Sequence, residues 1–119
     1  MSRSALRRPN RVAEMVKERL ANFFLHEVSD PRVGPITLME VEIGSDLRNA
    51  KVFFCGPKEE LSAKELKELS KGLTSVTPFL RRRLGEELAL RSIPQLEFIR
   101  DNHHVQVSRL MQAFDSIRH

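Results

Sequence analysis

The apolar residues of this chain change period three times, from helical to alternating and back, and that pattern limits its fold more than any other feature. Val12, Val16, Leu20, Phe23 and Phe24 have the spacing of one helical face. In the strand-like stretch that follows, Met39, Val41 and Ile43 alternate with Glu40 and Glu42, and Ala50, Val52 and Phe54 alternate with Lys51, Phe53 and Cys55. Helical spacing returns with Leu66, Leu69, Leu73 and Val76 and then Leu80, Leu84 and Leu88, before Leu96 and Phe98 alternate with Glu97 and Ile99. A chain that runs helix, two strands, helices, strand has one sheet face and a set of helical stripes to bury against each other. The expected fold class is α+β, with helices packed on one face of a three-stranded sheet.

Turn and cap residues set the boundaries. Pro9 and Asn10 open a first helix over about 9–27, which ends before Pro31, because proline disfavours helical geometry in the residue before it. Asp30 to Pro35 reads as a rigid turn, Gly44 to Asn49 as the connection of a hairpin, and Gly56-Pro57 as its stop. Ser62 and Glu65 have capping-box spacing. Thr77-Pro78 reads as a second start, since Thr can cap a helix and Pro suits its first position. The order is therefore αββααβ, with two helices meeting at 76–78 and a third strand over 95–101. Val107, Leu110, Met111, Phe114 and Ile117 suggest a short closing helix. Residues 1–11 form a basic arm, 9–101 one domain, and 102–119 a C-terminal tail.

With 119 residues and 13.7 kDa, the chain is long enough for one core. Its one cysteine, Cys55, excludes an internal disulfide and suits a reducing compartment, with cytosol as the default. No apolar run approaches the roughly 20 residues needed to cross a bilayer, and none follows the basic start, so neither membrane nor signal peptide is expected. The 20 Lys and Arg against 16 Asp and Glu, with a pI near 9.7, favour polyanionic partners.

Catalytic candidates are thin. His103 and His104 are adjacent, unlike the four-residue spacing of zinc helices, and Cys55 has no sequence-near His to activate it. It reads as a small residue at a strand edge. His26 and Glu27 belong to no spaced motif, and Asp30 and Asp46 open turns. Five scattered glycines make no phosphate loop. A small hydrolytic or metal-dependent enzyme therefore lacks its constellation; no cofactor and no metal are expected.

The cations are more informative. Residues 1–35 hold seven basic and four acidic groups, 36–71 six and seven, and 72–119 seven and five. The outer face of the sheet, with Glu40, Glu42, Lys51, Phe53 and Glu97, is net acidic and poor in aromatics, unlike a base-stacking platform. Arg81, Arg82 and Arg83 would lie near the start of a helix capped at Thr77, where cations oppose the macrodipole by up to ~1 kcal/mol each, and where free amides attract phosphate. Glu86 and Glu87, four residues after Arg82 and Arg83, offer a salt-bridge alternative.

The element order resembles a type II KH domain. Arg11-Val12, Asp30-Pro31-Arg32-Val33-Gly34, Asp46-Leu47 with Ala50-Lys51-Val52, Phe79-Leu80-Arg81 with Leu84-Gly85, Leu90-Arg91 with Pro94-Gln95-Leu96-Glu97-Phe98, and Asp101 together resemble bacterial ribosome-binding factor A over about 7–101. The resemblance implies a monomeric cytoplasmic assembly factor that binds the free small (30S) ribosomal subunit or its precursor. It would contact 16S rRNA, assist maturation including the 5′ region, and dissociate; other assembly factors would be further partners. Neither catalysis nor a cofactor is implied. KH domains clamp RNA backbone with a Gly-x-x-Gly loop. That family has an interhelical kink instead, here Val76, Thr77 and Pro78, which departs from the usual small residue and glycine and shifts the expected contacts to the arginines. The RNA-binding candidates are Arg3, Arg7, Arg8, Arg11, Arg32, Arg48, Lys51, Arg81, Arg82, Arg83 and Arg91. An alternative is a protein-interaction module gripping an acidic partner, with RNA contact incidental.

Overall fold

In the computed structural model the described residues are 11–56, 58 and 60–101. The arm cations Arg3, Arg7 and Arg8 and the expected closing helix lie outside them. The elements are α1 (Arg11–His26), β1 (Thr37–Ile43), β2 (Asn49–Cys55), α2 (Ala63–Glu87) and β3 (Gln95–Arg100). The sheet order is β1-β2-β3, with β1 antiparallel and β3 parallel to the central β2. Both helices pack on one face, as the periodicity requires.

The stripe of α1 is buried at Val16, Leu20 and Phe23 against Val41, Ile43, Ala50 and Val52 of the sheet and Leu80 and Leu84 of α2. A smaller cluster joins Val33, Phe54, Leu69 and Leu73 under the first half of α2. Burial of a side chain such as Leu84 is worth about 1.5–3 kcal/mol, so these stripes fix which face of each helix looks inward.

The expected pair of helices is a single one. α2 runs unbroken from Ala63 to Glu87 with Pro78 inside it. Thr77 does not cap: its hydroxyl donates to Leu73 O at 2.7 Å, one turn back within the same helix. Pro78 withdraws one backbone hydrogen bond, but Leu69, Leu73, Leu80 and Leu84 are all buried in one stripe that crosses it. Tertiary burial outweighs the local breaker. The predicted capping box is present: Ser62 Oγ accepts from Glu65 N, and Ser62 N donates to Glu65 Oε1, both at 3.1 Å.

The strand β1 also departs from simple alternation. Leu38 pairs with Phe54 and Glu40 with Phe53, so Met39 is bulged out of the ladder. The extra residue places Leu38 against the core, in phase with Val41 and Ile43, whereas Met39 was expected there. Cys55, expected at an edge, ends the central strand and is buried.

Candidate nucleic-acid interface

Two ion pairs fix the direction of α1 against α2. Arg19 Nε lies 3.1 Å from Glu87 Oε1, and Arg83 Nε lies 2.8 Å from Glu27 Oε1. Residues run in opposite senses across these contacts, so the helices are antiparallel there. Arg11, eight residues before Arg19, therefore lies about 12 Å further along α1, toward the segment that leaves α2. That segment carries Arg91 and enters β3, where Gln95 N donates to Arg48 O at 2.8 Å. Val12, Met15, Leu47, Leu90 and Ile93 pack against the same core cluster. Arg11, Arg48 and Arg91 are thus gathered at one pole, although they are distant in sequence.

All three are exposed, and none enters an ion pair among the described residues. Arg11, the first described residue, opens α1 at this pole. Lys51 is exposed on the adjoining outer sheet face, between Glu42 of β1 and Glu97 of β3.

The triple-arginine run divides by function. Arg81 Nε and its terminal nitrogen donate to Pro94 O at 3.1 Å and Ile93 O at 2.9 Å, which ties α2 to the loop carrying Arg91. Arg83 engages Glu27, Glu86 and Glu87 at 2.7–2.8 Å and lies 5.0 Å from the Phe23 ring centroid. Its guanidinium is held in the charged form by these partners, and it in turn holds the Glu27 carboxyl below the usual range. Only Arg82 faces solvent, over the Phe79 ring at 5.4 Å. Because α2 does not start at Pro78, the run has no free amide groups beside it and no unfavourable dipole to offset. It lies just before the last turn of α2, which itself carries no basic residue. The sequence alternative of salt bridges holds for Arg83 but not for Arg82.

Arg32 is elsewhere, in the turn after α1. Its guanidinium grips both oxygens of Asp30, at 3.0 and 2.6 Å, and its backbone N–H donates to the same carboxylate. Those donors lower the Asp30 pKa to about 2. Sequence reasoning overlooked Lys58 and Lys64, which border a shallow pocket with Arg32, Glu65 and Glu68 at this second pole. Val76, Thr77 and Pro78 lie on the body of α2, and Thr77 faces a groove lined also by Phe54, Leu73 and Phe98. Among the described residues no group of three or more His, Cys, Asp or Glu is placed to hold a metal, and no helix is long and apolar enough to cross a membrane.

The sequence profile described as "Ribosome-binding factor A" matches residues 8–114. The chain belongs to the ribosome-binding factor A family. A ribosome-binding factor A of Aromatoleum aromaticum is 43% identical over 92% of this chain and 84% of its own length. One from Synechococcus is 34% identical over 94% of this chain and 77% of its own. The crystal structure of the Thermus thermophilus factor is similar in fold, with a TM-score of 0.63 at 22% identity over 75% of this chain and 90% of that one. Coordinates of the Thermus thermophilus factor fitted into a cryo-EM map of its complex with the 30S subunit give 0.62 at 22% identity, over 79% and 96% of the two chains. The type II KH-like arrangement of helices on one face of a three-stranded sheet is the fold of this family.

Proposed function

We propose that this protein binds the free small ribosomal subunit or its precursor, assists maturation of 16S rRNA including its 5′ region, and then dissociates. Family membership across residues 8–114 carries this reading, and a fold relative described in complex with the 30S subunit supports it. The mechanism is docking by charge and shape in the cytoplasm, as a monomer, without catalysis or cofactor. Arg11, Arg48 and Arg91 neutralise phosphates; Lys51 and Arg82 extend the surface to the sheet and helix faces. Arg81 acts indirectly by holding the Arg91 loop. With Glu40, Glu42 and Glu97 on the outer face of the sheet, base stacking there is disfavoured, so recognition rests on backbone and shape.

Cosedimentation with purified small subunits and with assembled ribosomes, at about 50 and 200 mM salt, tests the reading. Neutralising about four phosphates makes affinity fall roughly a hundredfold over that range. Binding confined to free subunits and steeply weakened by salt is the expected result. Salt-insensitive binding, or no binding to subunits, would overturn it.

A further inference from the structure

The connection between β1 and β2 turns on a strained backbone conformation. Among the described residues Leu47 is the one residue other than glycine with a positive φ, at 58°. That left-handed region is crowded for a residue with a Cβ, and glycine or asparagine enters it with least strain. The hairpin creates the demand. Leu47 N donates to Gly44 O at 3.0 Å, so residues 44–47 close a turn, and a left-handed residue at its end is an ordinary way to lead the chain back into a strand. Glycine would meet that demand without strain, yet the sequence has leucine.

What leucine adds is an anchor. Its side chain is half-buried and packs against the core cluster that contains Ile43 and Ala50, and Ile93 of the loop before β3 packs against the same cluster. The next residue, Arg48, is held on both sides of its main chain: its N–H donates to Asp46 Oδ1 at 3.1 Å, and its carbonyl accepts from Gln95 N at 2.8 Å. The facing loop is braced as well, because Arg81 donates to Ile93 O and Pro94 O, and Pro94 is fully buried. Both backbone groups of Arg48 are therefore committed, whereas its guanidinium is exposed and enters no ion pair among the described residues. A cation whose main chain is already fixed loses less freedom when it binds an anion. Strained backbone persists where its surroundings over-determine it, and it clusters at functional sites.

We propose that Leu47 is a positioning residue for RNA binding: its apolar side chain, gripped by the core, locks the left-handed turn that aims Arg48, alongside Arg91, at a phosphate of the RNA backbone. This rests on the role proposed above for the basic pole, and it adds how one cation of that pole is preorganised. Glycine at position 47 would keep the turn and release the anchor. Arg48 would then carry the same charge without a fixed direction.

Equilibrium binding to purified small subunits is compared for the parent, Leu47→Gly, Leu47→Met, Arg48→Gln and the double variant Leu47→Gly with Arg48→Gln, at a temperature where circular dichroism shows every chain folded. Loss of one phosphate contact weakens binding about threefold to tenfold at roughly 150 mM salt, so Arg48→Gln is expected to fall in that range. Leu47→Gly is expected to lose at least about threefold with its net charge unchanged, and Leu47→Met to stay within about twofold of the parent. The double variant is expected to bind like Arg48→Gln alone, since a residue that acts through Arg48 then has nothing left to position. A Leu47→Gly variant that binds like the parent, or one whose loss recurs in full on top of Arg48→Gln, would refute the positioning role and leave the basic pole standing. Parent-like binding by Arg48→Gln would instead remove Arg48 from the RNA-facing pole, and the role of Leu47 with it. Should Leu47→Gly fail to fold, Leu47→Asn takes its place in the cycle with the same outcomes, because asparagine also tolerates the left-handed turn and lacks the apolar anchor.

Discussion

At Gly72, α2 passes so close to the turn after α1 that an added Cβ would lie 2.9 Å from Arg32 Cβ and 3.0 Å from Val33 Cγ2. Alanine gains about 1 kcal/mol of intrinsic helix propensity over glycine, but overpacking of this kind costs about 1–3 kcal/mol. Gly72→Ala is therefore expected to be destabilising by about 1 kcal/mol in urea unfolding. Nothing in the sequence marks this glycine, because the backbone it approaches is about 40 residues away. Local charge pairs are different. Asp30 and Glu65 are both held near a pKa of about 2, Asp30 by Arg32 and Glu65 by the Lys58 ammonium first and Ser62 second. Folded values below the unfolded ones mean that their stabilisation is present above pH 4 to 5 and is lost as pH falls toward 2. In a carboxyl titration followed by nuclear magnetic resonance, Lys58→Met is expected to move Glu65 upward and leave Asp30 in place. The Ser62–Glu65 box was readable from spacing alone, since each partner lies within one turn of the other.

Helix α2 is the element where local and tertiary preferences conflict. Proline in a helix interior is about 3 kcal/mol less favourable than alanine, and the Thr77-Pro78 dipeptide is a good helix start, yet the helix continues. Pro78 is exposed and the donor missing there is one amide, so Pro78→Ala is expected to stabilise the domain by about 1–3 kcal/mol, read from the denaturation midpoint, with an unchanged fold. The signal for continuity was already in the sequence. Leu69, Leu73, Val76, Leu80 and Leu84 keep one helical phase across the proline, and two independent helices would have no reason to share it. The bulge at Met39 had no such signal: Met39, Val41 and Ile43 form a valid alternation, and only pairing with β2 selects Leu38 for the core.

For the whole molecule, the decisive quantity is where unpaired cations collect. Replacing Arg11, Arg48 and Arg91 together by Gln is expected to weaken small-subunit binding about tenfold to a hundredfold at moderate salt. The logarithmic salt slope is expected to flatten by roughly 0.7–0.9 for each phosphate that is no longer neutralised. Arg83→Gln, by contrast, is expected to lower thermal stability while leaving the salt slope unchanged, because its charge is spent on Glu27, Glu86 and Glu87. Parallel titrations of the two variants distinguish a docking surface from an internal ion-pair hub. Sequence alone determined the element types, the helices-on-one-face architecture and the family, because periodicity and short-range motifs act within a few residues of one another. It identified a set of eleven candidate cations but not their roles. Only the tertiary structure decided that Arg81 and Arg83 are occupied internally and that Arg11, Arg48 and Arg91 share a pole. The physical reason is that a guanidinium's availability depends on which carbonyls and carboxylates the fold brings within hydrogen-bond reach, and those partners lie up to 56 residues away in the chain.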